Sequence, residues 1–200
     1  YQEVILPNLC YIGGGGETAY WLELKTTFEA FNCAFPILLL RNSAILVTKK
    51  QSEKIEKLQL NWEQLFLKQE ELINQKVKQI AEIPIDFSAQ KTALKKQFSE
   101  LYAIANQTDK SFLGAVKAQE TKQIKGLENL EKRFLKAQKK KYQSELERII
   151  NLQNELFPNQ SLQERQTNFS EFYLEVGITL ISNLFDELEP LDNNFTILTL

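Results

Sequence analysis

The sequence contains no histidine and no methionine, and cysteine and glycine are scarce. Without histidine, the chain cannot by itself build a Ser-His or Cys-His catalytic pair or an imidazole metal site, and we predict no metal centre. The two cysteines, Cys10 and Cys33, form no CxxC pair, which favours structural thiols in a reducing cytoplasm; a reactive thiol at Cys10 is the alternative. Because methionine is absent even at position 1, we expect a fragment of a longer protein.

Long apolar runs and a strong excess of either charge are also absent. No run approaches the roughly 18 residues of a membrane helix, and no signal peptide opens the chain. The net charge of −2 argues against a general nucleic-acid binder, because phosphate binding needs a basic face. The basic run 139–141 is local and predicts a solvated helix face. We therefore expect a cytoplasmic protein that binds neither nucleic acid nor a membrane.

The first fifty residues have the pattern of an α/β unit. A short apolar run over 8–12 leads into four consecutive glycines, and helical spacing of apolar residues follows as far as Phe31. A second apolar run, 35–40, has the length of a strand. The order strand, glycine turn, helix, strand predicts two parallel strands with the helix as their crossover.

Two predicted loops of this unit, 13–17 and 41–43, lie at the edge where parallel sheets bind ligands. Four glycines let backbone N–H groups converge on an anion, and the helix N-terminus adds partial positive charge. The alternative is a tight turn that only glycine can make. The spacing matches neither GxGxxG nor a Walker A motif. Arg41 is either a fixed cation for the anion or a surface arginine, and Glu17 is either a helix cap or a partner for an amine.

The middle of the chain has the pattern of a long helical hairpin. Apolar residues recur at steps of three and four from Phe112 to Phe157, and a matching stripe precedes the turn 106–109. We predict an antiparallel coiled-coil arm from Trp62 to Phe157 whose returning helix is continuous. Pro84 should break the outgoing helix, with Asp86 or Ser88 capping the helix that restarts after it.

Beyond the arm, the pattern returns to helices and a strand. Residues 161–164 have the form of a capping box, and apolar helical spacing from Phe169 to Leu188 predicts a face that packs on the sheet. The run 195–200 predicts a final strand that joins the same sheet. The predicted division is 1–50 for the α/β core portion, 51–160 for the arm and 161–200 for the segment that returns to the core.

Four groups of residues together resemble one known family. They are the segment 6–17 (Leu-Pro-Asn-Leu-Cys-Tyr-Ile-Gly-Gly-Gly-Gly-Glu), 19–22 (Ala-Tyr-Trp-Leu), 36–43 (Pro-Ile-Leu-Leu-Leu-Arg-Asn-Ser), and the run from Leu156 through Glu164-Arg165 to Phe169. In this order, on both sides of the arm, they are similar to the carboxyl-terminal part of the bacillithiol biosynthesis cysteine-adding enzymes, BshC. The resemblance covers all 200 residues.

The resemblance implies a fold and an activity. The expected fold is part of a Rossmann-like core, related to class I nucleotidyl-transferase folds, with a coiled coil used for homodimerisation. The family is assigned to the last step of bacillithiol synthesis, a ligase reaction that joins cysteine to the amino group of glucosaminyl malate. Amide synthesis requires an activated carboxyl group, and the sequence identifies neither the activating group nor the catalytic base. The use of a nucleotide such as ATP therefore stays open.

By the same resemblance, the two loops line one wall of the ligand cleft. Backbone amides of the glycine loop would hold a carboxylate or phosphate, Asn8 and Tyr11 would supply hydrogen bonds, and Trp21 either packs in the core or lines the cleft. The expected ligand-binding residues are Asn8, Tyr11, Gly13, Gly14, Gly15, Gly16, Glu17, Trp21, Arg41, Asn42 and Ser43.

A second hypothesis from a different class is a non-enzymatic coiled-coil module for dimerisation or partner binding. The long arm motivates it. We expect the 200-residue fragment alone to be inactive.

Overall fold

A computed structural model describes the backbone of residues 1–200 and every side chain except that of residue 2. The fold is mostly helical with short parallel strands. In chain order the elements are α1 (Gln2–Ile5), β1 (Cys10–Gly13), α2 (Gly15–Glu23), α3 (Lys25–Ala30), β2 (Ile37–Leu40), β3 (Ser43–Val47), α4 (Lys49–Lys57), α5 (Trp62–Leu65), α6 (Gln69–Ile80), α7 (Ser88–Ala105), α8 (Lys110–Lys141), α9 (Gln143–Leu156), α10 (Gln163–Gln166), α11 (Phe169–Val176), α12 (Thr179–Glu187) and β4 (Phe195–Thr199).

The chain divides into two compact units. The first contains residues 1–59 and 154–200, so it is built from two separate parts of the chain. The second contains residues 60–153. In the described part of the chain, no helix combines the length and the apolar character needed to cross a membrane.

The first strands of the first unit confirm the predicted parallel arrangement. Strand β1 pairs in parallel with β2, with Cys10 opposite Ile37 and Gly13 opposite Leu40. The helix between them is interrupted at Leu24, which ends α2 and precedes α3. Ser43, predicted as a loop residue, is the first residue of β3.

The final strand does not join β1 and β2. Strand β4 pairs in parallel with β3, with Ser43 opposite Phe195 and Val47 opposite Thr199. Among the described strands, β1–β2 and β3–β4 are two separate two-stranded sheets, so the prediction of one sheet was wrong. The other edge of β3 is taken by side chains of α10, because Gln163 and Glu164 bond the backbone of Leu46 and Ala44. These side chains occupy the backbone groups that a further strand would need.

Helices α11 and α12 cover the β3–β4 sheet, as the apolar spacing predicted. Its buried centre consists of Leu46 on β3, Leu180 on α12 and Leu198 on β4. Partly buried apolar residues surround it: Phe172, Val176, Leu184 and Leu200. The predicted helix is divided by Gly177, whose φ of 73° lies in the left-handed region that favours glycine.

The capping box predicted at 161–164 was wrong. Helix α10 begins at Gln163 after Leu162, and no side chain caps its N-terminus within the described residues. The carboxylate of Glu164 contacts β3 instead. A long-range contact thus uses the side chain that the local pattern assigned to the cap.

The second unit is helical. Helices α7 and α8 pack antiparallel around Phe98, Ala105 and Val116, which are buried. Two polar contacts join the same helices: the Tyr102 hydroxyl donates to Glu120 at 2.7 Å, and the Lys91 ammonium lies 2.6 Å from the Glu131 carboxylate.

The predicted break at Pro84 is confirmed, because α6 ends at Ile80 and α7 begins at Ser88. The Asp86 carboxylate accepts a hydrogen bond from the Ser88 N–H at 2.8 Å, so Asp86 satisfies a backbone group at the restart. The prediction that the returning helix of the arm is continuous was wrong. Tyr142, with φ −99° and ψ 18°, separates α8 from α9.

Candidate functional site

The glycine turn joins β1 to α2. Gly14, between the two elements, has φ −71° and ψ 169°, an extended conformation that any residue adopts. The backbone conformation of Gly14 therefore does not require glycine. Gly13 and Gly14 are buried, whereas Gly15 and Gly16 are exposed.

Other atoms approach the first two glycines closely. A Cβ at Gly13 would lie 2.7 Å from Cε1 of Tyr11, and one at Gly14 would lie 2.8 Å from Nη2 of Arg165. Real Cβ contacts are not this short. A Cβ at Gly15 or Gly16 would meet no described atom within 4 Å outside the neighbouring helix backbone. Open space therefore lies over the second half of the turn.

Glu17 caps the helix that the turn opens. Its Oε2 atom accepts a hydrogen bond from the Gly14 N–H at 2.8 Å, and its charge suits the positive end of the helix. The Gly14 N–H, predicted as part of an anion site, is therefore bonded to Glu17. The prediction of an anion site then concerns the exposed part of the turn and the arginines beside it.

Two arginines lie over Gly14. The backbone N–H of Arg41, directly after β2, donates to the Gly13 carbonyl at 2.9 Å and fixes this residue at the turn. Its Nε atom would lie 3.6 Å from a Cβ on Gly14, close to the Arg165 guanidinium described above. Arg165 comes from α10, so two distant parts of the chain bring cations to one glycine.

Glu164 lies between these arginines. Its Oε1 atom is 3.8 Å from Nη2 of Arg41 and 3.7 Å from Nε of Arg165. Its other oxygen accepts a hydrogen bond from the Ala44 N–H at 3.3 Å, and the Ser43 hydroxyl donates to Oε1 at 3.5 Å. Of the predicted site residues, Ser43 therefore joins the charged cluster through Glu164.

The other predicted polar residues have partners elsewhere. The Asn42 amide donates to the Glu189 carbonyl at 2.7 Å, which ties the start of β3 to the segment before β4. The Asn8 amide donates to the Glu3 carboxylate at 2.8 Å. Both side chains stabilise the unit internally, and their binding roles stay predictions.

Trp21 belongs to an aromatic cluster. Its ring stacks on Tyr11 with 4.2 Å between centroids, and it also contacts Phe28 and Phe35. Tyr11 in turn borders Gly13, so the cluster supports the strand side of the turn. Packing is the role that these contacts describe for Trp21.

Sequence reasoning did not select Glu164 and Arg165 as site residues. Their neighbours in the chain carry no ligand motif, and their proximity to Gly14 depends on a contact between residues 121 positions apart. The adjacent charges of Glu164 and Arg165, in the segment after the arm, were the only feature of the sequence that could have indicated their place in the site. Among the described residues, no group of three or more cysteine or acidic side chains could hold a metal ion.

Comparison with known proteins gives two family models that meet within the chain. Residues 44–200 match the bacillithiol biosynthesis BshC C-terminal coiled-coil domain, and residues 1–42 match the BshC N-terminal Rossmann-like domain. These matches confirm the resemblance drawn from the sequence motifs. They place the glycine turn and Arg41 in the Rossmann-like match, and Ser43, Glu164 and Arg165 outside it.

Several similar proteins share one name. Proteins named "Putative cysteine ligase BshC" from Christiangramia forsetii and Flavobacterium johnsoniae are 67% and 62% identical to the whole of this chain, which covers 37% and 38% of their lengths. A protein of the same name from Cytophaga hutchinsonii is 32% identical over 95% of the chain and is covered over 36% of its length. The chain thus spans well under half of each of these relatives.

Proposed function

The chain belongs to the BshC family of bacillithiol biosynthesis, and from this premise we propose that it is part of a cysteine ligase that joins cysteine to glucosaminyl malate. The observation that carries the proposal is that residues 1–42 and 44–200 match the two BshC domains in succession. As functional segments we propose a core portion over 1–50, an arm over 51–160 and a returning segment over 161–200.

The glycine turn is the proposed anion-binding wall of this enzyme. Exposed backbone at Gly15 and Gly16 and the nearby Arg41 would hold a carboxylate, such as that of the malate group. Tyr11 and Trp21 pack on the strand side of the turn. The ligand-binding roles of Asn8, Asn42 and Ser43 are proposals drawn from the family resemblance. The reaction itself needs an activated carboxyl group, and the choice of a nucleotide for it is left open.

A paired substitution tests the role of the turn. In the protein that contains this chain, Gly14→Val forces a branched side chain against Arg165, whereas Gly126→Val adds one in open space on α8, outside the turn. We expect cells that depend on the Gly14→Val protein to lose most of their bacillithiol at a normal protein level. Gly126→Val should keep both the protein level and the bacillithiol content. Undiminished bacillithiol with Gly14→Val would remove the turn from the site.

Homodimerisation is the role we propose for the helical arm. Apolar side chains on α7 and α8 remain exposed: Leu101, Ile104, Phe112 and Leu130. A second copy of the arm would cover such a surface and remove it from water. This is also the observation that favours the alternative function, a coiled-coil module without catalytic activity.

Light scattering at micromolar concentration tests dimerisation. We expect a dimer mass for the unmodified protein, a lower mass for Ile104→Lys, and no change for the matched variant Gln107→Lys at the exposed turn. A monomer mass for the unmodified protein would count against this role of the arm.

We further propose that the substrates are small molecules and that the protein works in the cytoplasm, since Cys10 and Cys33 are free thiols that suit a reducing compartment. The 200-residue chain by itself is expected to be inactive. An assay of product formation with the chain alone and with the protein that contains it checks this expectation.

A further inference from the structure

We propose that Glu164 is a positioning residue that holds Arg41 and Arg165 together over Gly14, so that two guanidinium groups face a carboxylate of the substrate. The inference deepens the proposed function and rests on it, because it concerns the same glycine turn. It adds two residues, Glu164 and Arg165, to the anion-binding wall.

The carboxylate of Glu164 is itself held in place. It accepts from the Ala44 N–H and lies within 3.5 Å of the Ser43 hydroxyl, both at the start of β3. The preceding residue, Gln163, is buried and bonds both the N–H and the carbonyl of Leu46. Two consecutive residues of α10 are thus fastened to alternate residues of one strand. The side chain of Glu164 is 20% exposed, less than half the value of either arginine.

The arginines contact Glu164 as ion pairs that leave their donors available. At 3.8 Å and 3.7 Å, both nitrogen–oxygen separations exceed hydrogen-bond length. The side chains of Arg41 and Arg165 are 42% and 47% exposed, so solvent or a ligand reaches their N–H groups. Guanidinium groups bind carboxylates with two parallel hydrogen bonds, and a pair of them suits a substrate with one or two carboxylates.

Electrostatics explains why an acidic residue stands at an anion site. Two guanidinium groups beside one glycine repel each other, and a fixed negative charge between them offsets that repulsion. Since Glu164 is bonded to β3, it fixes where the two cations meet as well as compensating their charge. Without Glu164, we expect the side chains of Arg41 and Arg165 to move into solvent, so that they no longer meet over Gly14.

The test is binding of malate, measured by titration calorimetry on the protein that contains this chain, with Glu164→Gln and Glu164→Ala. If Glu164 acted only through its negative charge, removal of that charge would tighten malate binding, because a group that repels the malate carboxylate is lost. If Glu164 positions the arginines, the same substitutions weaken malate binding. We expect malate affinity to fall by about tenfold in both variants, the loss of roughly one charge-assisted hydrogen bond.

Glu171→Gln is the matched control, since it removes the same charge from an exposed residue of α11. We expect its malate affinity to be unchanged. In the ligase assay, the Glu164 variants should raise KM for glucosaminyl malate more than they lower kcat. A variant with reduced thermal stability but normal malate affinity would show a purely structural role and overturn the proposal. Unchanged or tighter binding in Glu164→Gln would overturn it as well.

The two proposals fail in distinguishable ways. If the unmodified protein binds malate but forms no product, the ligase assignment fails while the sign of the Glu164 effect still decides positioning. If the unmodified protein binds no malate, the anion site and the role of Glu164 are both overturned.

Discussion

Gln163 and Leu46 exchange two hydrogen bonds: the amide of Gln163 donates to the Leu46 carbonyl at 3.0 Å, and its oxygen accepts from the Leu46 N–H at 2.9 Å. The side chain therefore occupies the edge of β3 as the backbone of a neighbouring strand would. Because the Gln163 side chain is buried, its removal would leave the N–H and the carbonyl of Leu46 without a hydrogen-bond partner.

Replacement of Gln163 by Leu should destabilise the first unit by about 2 to 4 kcal/mol, because it leaves a buried N–H and a buried carbonyl of Leu46 without partners. Urea denaturation gives the free energy of unfolding. The control is Gln166→Leu, on an exposed position of the same helix. Equal effects of both substitutions would show that the two hydrogen bonds contribute little.

The two ends of the glycine turn should respond differently to alanine. Gly13→Ala should cost about 1 to 3 kcal/mol, because its Cβ would overlap the Tyr11 ring, which is stacked on Trp21 and cannot move freely. Gly16→Ala should be neutral or stabilising, since the new methyl group lies in open space within a helix. Thermal unfolding of both variants measures the difference, and a stable Gly13→Ala protein would contradict the close packing.

Phe98 should be a main contributor to the helical hairpin. It is 6% exposed and packs with Ala105 and Val116, so Phe98→Ala should cost about 3 to 5 kcal/mol through lost burial and a cavity. Phe185, on α12, is 85% exposed and is the matched control. Loss of helical circular dichroism in urea is the measurement. Comparable losses from both phenylalanines would contradict the assigned core.

The ion pair between Lys91 and Glu131 should make the stability of the second unit depend on pH. The Lys91 ammonium, hydrogen-bonded to Glu131, lowers the pKa of the Glu131 carboxyl below its ordinary 4.5, and the Phe87 N–H adds to this effect. A depressed carboxyl pKa contributes stability that is present above the pKa of the unfolded chain and is lost as pH falls through the folded pKa. Stability should therefore decline below about pH 4.5.

The variant Glu131→Gln should remove part of that decline and lower stability at neutral pH. Glu100→Gln, on the exposed face of α7, should leave the pH profile unchanged. Denaturation midpoints between neutral and acidic pH decide the matter. Identical acid profiles for Glu131→Gln and the unmodified protein would contradict the contribution of this pair.

Local patterns predicted a large part of the fold. The parallel pairing of β1 with β2, the break at Pro84 and the packing of the last helices on a sheet all follow from short-range rules of spacing, proline chemistry and strand length. The breaks at Tyr142 and Gly177 were missed, because apolar periodicity continues across both of them.

The sequence by itself determined the βαβ start, the antiparallel packing of α7 and α8, the exclusion of histidine chemistry and the family to which the chain belongs. Only the tertiary structure decided that β4 pairs with β3, and that Glu164 and Arg165 lie beside Arg41 at the glycine turn. The physical reason is distance along the chain. Propensity and periodicity act over a few residues. These contacts depend instead on which distant side chains reach the edge of β3 that no other strand occupies. Gln163 and Glu164 fill that edge, and their neighbour Arg165 is carried to the turn with them.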